Sequence, residues 1–184
     1  MSEHATLRRL PSDELTEAER IDLRAMLDEA FLGDDTGGFD DDDWQHALGG
    51  THFVLDVDGQ VVAHAAVVER QLYVAGQPLR TGYIEAVATR PGRERQGHGS
   101  VVMREVSAFV SENFEFGALG TGSHGFYERL GWQTWRGPSF VRVGGGIDRT
   151  PEDDGYIMVL LTPTSPPLDL SAPISCEWRP GDVW

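Results

Sequence analysis

The segment from residue 83 to residue 110 has the clearest pattern of apolar and polar positions in this chain, and it begins with a predicted strand. Ile84, Ala86 and Ala88 alternate with neighbours that are charged or β-branched, and this period of two is typical of a strand. The segment Arg90-Pro91-Gly92 ends the strand, because proline cannot donate to the ladder and glycine turns freely. A helix is predicted from Ser100, with apolar side chains on one face at Val102, Val106, Phe109 and Val110.

Periodicity and turn signals predict the remaining elements. Residues Glu17–Phe31 have the apolar face of an amphipathic helix, which Gly33 ends. The dipeptide Asp58-Gly59 predicts a hairpin turn between two strands. Strands are predicted at residues 53–57, 60–68, 71–74, 78–83, 116–120 and 156–161, and a helical turn at residues 126–132.

The loop between the first strand and its helix, residues 93–99, is basic and rich in glycine. A helix N-terminus presents unpaired N–H groups and the positive end of the helix dipole, which together favour an anion such as phosphate. Gly97 and Gly99 would allow the backbone to approach that anion closely, and Arg93 and Arg95 add positive charge. Because Gly-x-Gly alone is a weak signal, a surface loop that caps an ordinary helix remains an equal alternative.

Composition narrows the class of partner. The 184 residues carry a formal net charge of −15, which disfavours nucleic acid and suits either a cationic ligand or simple solubility. We expect one globular domain over residues 1–184, in the cytoplasm and away from membranes, because no signal peptide, long apolar run or lipidation motif is present. Cys176 is the single cysteine, which excludes an internal disulfide.

Potential metal ligands do not have the spacing of a metal site. His46, His52 and His64 are interpreted as polar or core histidines. The run Asp40–Asp43 is interpreted as the start of a helix, where capping and the helix dipole favour aspartate. The pair Asp34-Asp35 follows a helix end, where negative charge is not favoured locally, and is the better functional candidate.

Two motifs resemble the GCN5-related N-acetyltransferase (GNAT) superfamily. The basic loop is similar to its pyrophosphate loop, Gln/Arg-x-x-Gly-x-Gly/Ala after a central strand. Glu94 stands at the first position of that pattern, and we expect Arg93 and Arg95 to replace the missing charge. The segment Phe126–Trp132 is similar to the Tyr-x-x-x-Gly-Phe/Trp motif that follows the fifth strand of the superfamily.

Within that superfamily the chain resembles the aminoglycoside 2′-N-acetyltransferases of the mycobacterial type over nearly its whole length. The resemblance rests on residues 31–34, Trp44, and residues 48–50, 82–85, 150–155 and 176–184, which end in Arg-x-Gly-Asp-x-Trp. It implies an α+β (α/β) GNAT acyl-CoA N-acyltransferase fold, with a mixed central sheet, splayed central strands and flanking helices. It also implies acetyl-CoA as co-substrate, no metal, and a homodimer.

The resemblance further implies two sets of binding residues. Backbone groups of Val87, Ala88 and Thr89 would hold the pantetheine arm of acetyl-CoA. The pyrophosphate would bind at Arg95, Gln96, Gly97, His98, Gly99 and Ser100. The aminoglycoside would bind at Asp34, Glu85, Ala86, Gly120, Asp153, Asp182 and Trp184, with the tail from about residue 163 to residue 184 completing that site.

Catalytic roles follow from the chemistry of acetyl transfer to a protonated amine, which must lose a proton before it attacks. Glu85 is the expected base, through a water, and the α-carboxylate of Trp184 is the alternative. Tyr127 stands at the position of the family's proton donor to the leaving thiolate, and the N–H of Val87 would polarise the thioester carbonyl. Transfer through Cys176 is disfavoured because no histidine lies near it in sequence.

Structural alternatives stay open for each catalytic candidate. Glu85 could face solvent, Tyr127 could simply pack in the core, and Trp184 could be a frayed end. At the level of function, the expected activity is acetylation of the 2′-amine of aminoglycoside antibiotics, which confers resistance. The alternatives are an acetyltransferase for another polyamine or cell-wall amino sugar, and a non-catalytic fold that binds acyl-CoA.

Overall fold

Alternating apolar side chains form ten strands in the computed structural model, which describes residues 4–32 and 38–184. The strands are β1 Ala5–Pro11, β2 Thr51–Val57, β3 Gln60–Val74, β4 Gln77–Thr89, β5 Phe116–Gly120, β6 Gln133–Thr134, β7 Ser139–Val143, β8 Gly146–Arg149, β9 Ile157–Leu161 and β10 Ile174–Glu177. The helices are α1 Glu17–Ala30, α2 Asp41–Ala47, α3 His98–Asn113 and α4 His124–Glu128, with 3₁₀ turns at Ser12–Glu14 and Pro151–Asp153.

The chain forms two compact units. The first contains the residues up to Val68 together with Ile84–Val106, and the second contains Glu69–Tyr83 together with Ser107–Trp184. The chain passes from one unit to the other within β3, β4 and α3. The single domain expected over residues 1–184 stays a prediction.

In the first unit, an antiparallel sheet supports the carboxyl-terminal half of β4. β2 pairs with β1 on one side and with β3 on the other. The predicted Asp58-Gly59 turn joins β2 to β3, and both residues have positive φ, 51° and 82°, as a tight hairpin turn requires. α1 packs its buried face, Met26 and Leu27, against Ala88 of β4. Burying such side chains contributes about 1.5–3 kcal/mol each, which fixes this part of β4.

The start of α1 is set by a capping box. Thr16 accepts a hydrogen bond from the N–H of Glu19 at 3.3 Å, and the carboxylate of Glu19 accepts one from the N–H of Thr16 at 2.9 Å. These bonds satisfy two of the backbone donors that a helix start leaves open. The helix therefore begins at Glu17, as its sequence pattern predicts.

The second unit contains a mixed sheet in the order β6-β9-β5-β4-β3-β10-β7-β8. β5 is parallel to β4, and β10 is antiparallel to β3 and parallel to β7. The buried indoles of Trp132 and Trp135 donate to Ser107 and to the carbonyl of Ala172, each at 3.0 Å. A Cβ at Gly137 would clash with that same carbonyl, so only glycine allows this close approach of the tail. The predicted mixed sheet with flanking helices is confirmed.

The structure differs from the sequence predictions at several boundaries. α3 begins at His98 and not at Ser100, because Gly97, with a φ of +88°, turns the chain directly into the first helical turn. The pairs of short strands predicted at 60–68 and 71–74, and at 78–83 and 83–89, are the continuous strands β3 and β4. β1, β6, β7, β8 and β10 were not among the strands predicted with bounds. Among the described residues, none of the helices is long and apolar enough to cross a membrane.

Candidate active site

The carboxyl-terminal half of β4 carries the residues predicted to hold pantetheine and to act as base. Glu85, Ala86 and Val87 are half-buried, and Thr89, which ends the strand, is half-buried as well. Ala86 has a φ of +51°, in the left-handed region that a non-glycine residue seldom adopts. The peptide groups on either side of Ala86 are therefore rotated away from the orientation of a regular strand.

The loop after β4 leads directly into the first turn of α3. Arg95 and Gly97 have positive φ, 61° and 88°, and such residues turn neighbouring backbone N–H groups into an anion-binding concavity. The first hydrogen bond of the helix joins the N–H of Val101 to the carbonyl of Gly97 at 3.0 Å. The N–H groups of residues 98–100 precede this bond and have no acceptor within the helix.

These features fit the pyrophosphate of an acyl-CoA. Arg95, Gln96 and Gly97 are exposed, and no acidic side chain lies at residues 95–100 that would repel a diphosphate from the positive end of the 16-residue helix α3. The ring nitrogen Nε2 of His98 is buried and lacks a hydrogen-bond partner within the described part of the chain. Glu94, which departs from the superfamily pattern, is exposed.

In the second unit, the predicted substrate carboxylate Asp153 lies in a field of negative charge to which Asp182 contributes. Asp153 ends a 3₁₀ turn and is half-buried. Burial raises the pKa of Asp153, and the negative charges around it, including that of Asp182, raise it further, although a hydrogen bond with Thr150 opposes them. This concentration of negative charge would be relieved by a bound cation.

The neighbouring Asp154 has a different part in the same turn. Its carboxylate accepts hydrogen bonds from Arg149 at 2.6 Å and from the N–H of Ser139 at 2.9 Å. The guanidinium of Arg149 holds the pKa of Asp154 well below its usual range. Asp154 therefore fixes the turn from which Asp153 projects.

Trp184 lies against the same turn. Its side chain is buried, and its indole Nε1 donates to Oγ1 of Thr150 at 3.2 Å. A Cβ added at Gly120 would lie 3.5 Å from the carbonyl carbon and oxygen of Trp184, so β5 and the tail meet there. The alternative of a frayed end is wrong for Trp184.

A hydrogen-bond network that the sequence did not predict fixes the tail. Nη2 of Arg70 donates to the carbonyls of Val183 at 2.8 Å and Glu177 at 3.2 Å, and its guanidinium lies 4.5 Å from the ring of Tyr83. The thiol of Cys176 is fully buried and donates to the carbonyl of Val183 at 3.3 Å. Burial raises the pKa of Cys176, so this thiol is a packed side chain and a poor nucleophile.

Tyr127 lies in α4 and is buried against aromatic neighbours. Its ring makes edge-to-face contacts with Phe126 and Trp132, with centroid distances of 4.9 and 6.3 Å. Burial raises the pKa of Tyr127, so its hydroxyl keeps its proton at neutral pH. The side chain is packed in the core, as the structural alternative expected, and it is also protonated, as a proton donor requires.

The predicted site residues thus gather in two sets. The first unit holds Glu85 and Ala86 with the cofactor residues 87–89 and 95–100. The second unit holds Gly120, Tyr127, Asp153, Asp182 and Trp184. Asp34 and its neighbour Asp35 lie outside the described residues.

Sequence comparison identifies the family. Residues 12–135 match the family model described as an acetyltransferase (GNAT) domain. The chain belongs to this family and is an acetyltransferase, as its loop and helix motifs predicted. Within the family it is 42% identical over 183 residues to an aminoglycoside 2′-N-acetyltransferase of Mycolicibacterium fortuitum, which spans 97% of this chain and 92% of that protein. The predicted resemblance is confirmed.

Solved structures agree at the level of the fold. A GNAT family acetyltransferase from Brucella melitensis in complex with acetyl-CoA superposes with a TM-score of 0.61 at 18% identity, over 90% of this chain and 92% of that one. A GNAT family N-acetyltransferase from Escherichia coli in complex with CoA gives a TM-score of 0.62 at 16% identity, over 96% and 91% of the two chains. The predicted GNAT fold is confirmed.

Proposed function

We propose that this protein transfers the acetyl group of acetyl-CoA directly to the 2′-amino group of aminoglycosides. The observation that carries this proposal is the 42% identity over 97% of the chain to an aminoglycoside 2′-N-acetyltransferase, together with the buried Trp184, which bonds Thr150 at the turn that bears Asp153. A polycationic sugar needs several carboxylates, each a charge-assisted hydrogen bond of about 1.5–3 kcal/mol.

Acetyl-CoA would be held by the backbone of residues 87–89 and by the loop and first helical turn at residues 95–100. The positive φ of Arg95 and Gly97 supports this assignment, as do the N–H groups at the start of α3, which have no acceptor within the helix. Acetyl-CoA supplies an activated acyl group, and the N–H of Val87 is the proposed donor to its thioester carbonyl.

The proton transfers require one base and one acid. Glu85, which lies one residue before the left-handed Ala86, takes a proton from the sugar's ammonium group through a water, so that the neutral amine can attack the acetyl carbon. A carboxylate at Trp184 is the second candidate for this role. Tyr127, whose hydroxyl carries its proton at neutral pH, gives that proton to the sulfur as the C–S bond breaks and regains one from the nitrogen of the new amide.

Asp34, Glu85 and Ala86 stay predicted substrate residues on the family resemblance alone. For the second-unit members Gly120, Asp153, Asp182 and Trp184, support comes from the approach of Gly120 to the backbone of Trp184 and from the effect of the Asp182 charge on Asp153. The net charge of −15 supports a cationic substrate and disfavours nucleic acid. We also propose a cytoplasmic homodimer, on the family resemblance alone, and light scattering of the purified protein tests the dimer.

Release of free CoA, followed with a thiol reagent, tests the reaction. Tobramycin and gentamicin, which carry a 2′-amine, should release CoA and gain one acetyl group at that nitrogen by NMR. Amikacin, which has a 2′-hydroxyl, should not react. Faster release with spermidine or a cell-wall amino sugar would favour the polyamine alternative, and no release with any amine would favour a non-catalytic fold.

A further inference from the structure

A chain of buried hydrogen bonds in the first unit ends on the backbone of Ala86. Oγ of Ser12 lies 2.7 Å from Nε2 of His52, Nδ1 of His52 lies 2.9 Å from Nε2 of His64, and Nδ1 of His64 lies 2.8 Å from the carbonyl oxygen of Ala86. Both imidazoles are fully buried and Ser12 is 8% exposed. Buried polar groups of this kind are costly unless every member has a partner.

The chemistry of the last acceptor determines where each proton lies. The carbonyl of Ala86 can only accept, so His64 must carry its proton on Nδ1, which leaves Nε2 of His64 as an acceptor. With both rings neutral, His52 donates from Nδ1 and its Nε2 accepts the hydroxyl proton of Ser12, whose oxygen also lies 3.2 Å from the carbonyl of Gly50. Ser12 in turn accepts from the N–H of Gly49 at 2.9 Å.

This arrangement requires both imidazoles to be neutral. Burial, together with the charges of His64 and Arg20, lowers the pKa of His52 to about 3. Burial lowers the pKa of His64 to about 4, against the opposing hydrogen bond to Ala86. At neutral pH both imidazoles are therefore neutral, and each carries its proton on Nδ1.

The bond to Ala86 acts on a single peptide group. The carbonyl of Ala86 and the N–H of Val87 belong to the same planar trans peptide, so they point in opposite directions and move together. Ala86 has a φ of +51°, a conformation that costs an alanine about 1–2 kcal/mol and persists only where its surroundings enforce it. A donor fixed on the carbonyl side therefore also fixes the direction of the Val87 N–H.

We propose that Ser12, His52 and His64 position and polarise the Ala86–Val87 peptide, so that the N–H of Val87 is a stronger and better aimed donor to the thioester carbonyl. Hydrogen bonding at a carbonyl strengthens the bond that the same peptide's N–H donates, by about 10–30%. The three side chains are positioning residues, since they act through the peptide. This inference rests on the proposed acetyl transfer.

Two other roles for this chain of hydrogen bonds agree less well with its geometry. A proton relay is excluded because the last member is a carbonyl oxygen, which has no proton to pass on. If the cluster were purely structural, kcat would not depend on whether residue 64 can donate a hydrogen bond to the carbonyl of Ala86. This dependence provides the test.

Two substitutions at His64 separate positioning from packing. The amide nitrogen of asparagine occupies the place of Nδ1 and can donate to Ala86, whereas the longer glutamine places its amide at Nε2 and cannot. With acetyl-CoA and tobramycin, we expect His64→Gln to lower kcat by about 10- to 100-fold, with the KM for acetyl-CoA within about threefold of wild type. His64→Asn should keep kcat within about fivefold of wild type.

Equal kcat values for the two variants would overturn the proposal. Thermal unfolding of both variants is the control that they are folded to a similar extent.

Imidazole ¹⁵N chemical shifts of the wild-type protein give a second readout that needs no variant. Both His52 and His64 should carry the proton on Nδ1, and a proton on Nε2 of His64 would also overturn the proposal. If the wild-type protein acetylates no aminoglycoside, the proposed function fails, while the ring nitrogens still decide whether the hydrogen-bond chain exists.

Discussion

At the scale of the residue, Asp153 is a proposed binding residue whose negative charge lowers the stability of the folded protein. Its carboxylate is half-buried, and burial and neighbouring negative charges raise its pKa. Between the usual pKa of an aspartate, about 3.9, and this raised value, the folded protein holds a proton that the unfolded chain has lost. Asp153 therefore destabilises the fold as pH rises through that window, and it does so fully above it.

Replacing Asp153 with asparagine should separate binding from stability. We expect the KM for tobramycin to rise about 10- to 100-fold, because one charge-assisted hydrogen bond of about 1.5–3 kcal/mol is lost. In urea unfolding, the stability of Asp153→Asn relative to wild type should increase as pH rises through the window. Glu112→Gln, which removes the same charge from an exposed position on α3, should change neither quantity. An unchanged KM in Asp153→Asn would exclude this carboxylate from the substrate site.

At the scale of the element, the loop before α3 depends on glycine for its backbone shape. Gly97 has a φ of +88°, and a Cβ there would meet no atom within 4 Å, so only backbone strain opposes a side chain. Gly59, in the β2–β3 turn, has a φ of +82° and the same open space. The two positions are therefore matched in strain and differ in their proposed role.

We expect Gly97→Ala to raise the KM for acetyl-CoA at least about tenfold, because a strain of about 1–2 kcal/mol deforms the anion-binding turn. Gly59→Ala should leave that KM unchanged, and the two variants should lower the melting temperature by similar amounts. Steady-state kinetics and isothermal titration with CoA measure the effect on the cofactor, and thermal unfolding measures the effect on stability. Equal CoA affinities in the two variants would mean that the loop does not bind the pyrophosphate.

The tail is the second element on which the proposed site depends. Arg70 bonds two carbonyls of the tail and lies over Tyr83, while Arg142 lies 3.7 Å from the ring of Tyr73 and donates to Ser175. Both guanidiniums thus combine an aromatic contact with a bond to the carboxyl-terminal segment, but only Arg70 reaches Val183.

Arg70→Lys should lower kcat with tobramycin by about 10-fold, since an ammonium cannot bond both carbonyls and stack, and Trp184 would lose its fixed position. Arg142→Lys should leave kcat within about twofold while costing comparable stability. Steady-state kinetics with urea unfolding of each variant make the comparison. A loss of kcat equal in the two variants would assign the effect to general loosening of β10.

These elements also show what the sequence can and cannot predict. The loop and α1 were predicted because their signals are local: glycines at turning positions, and apolar residues at helical spacing. β10 was missed because Ile174–Glu177 is a short segment among prolines, and its strand form depends on pairing with β3 and β7. His52 and His64 were correctly interpreted as core residues, but their contact follows from the β2–β3 register, which periodicity alone does not fix.

At the scale of the whole molecule, the net charge of −15 and the carboxylates of the second unit have the same sign. Long-range attraction would then add to the local contacts of a polycationic sugar, and salt would weaken it. Composition alone favoured solubility over a cationic ligand as the explanation for this charge. The two explanations differ in what they predict for a variant of the site.

We expect the dissociation constant for tobramycin to rise severalfold as ionic strength increases from about 0.01 to 0.15 M, over which the Debye length falls from about 30 to 8 Å. In Asp182→Asn the dependence on salt should be clearly shallower, because one of the negative charges that act on Asp153 is gone. Glu112→Gln has the same net charge as Asp182→Asn and should keep the wild-type slope, since Glu112 is exposed and is not among the charges that act on Asp153. Calorimetric titration across a salt series measures all three slopes. Identical slopes in the two variants would mean that the net charge serves solubility, and that these carboxylates do not hold the sugar.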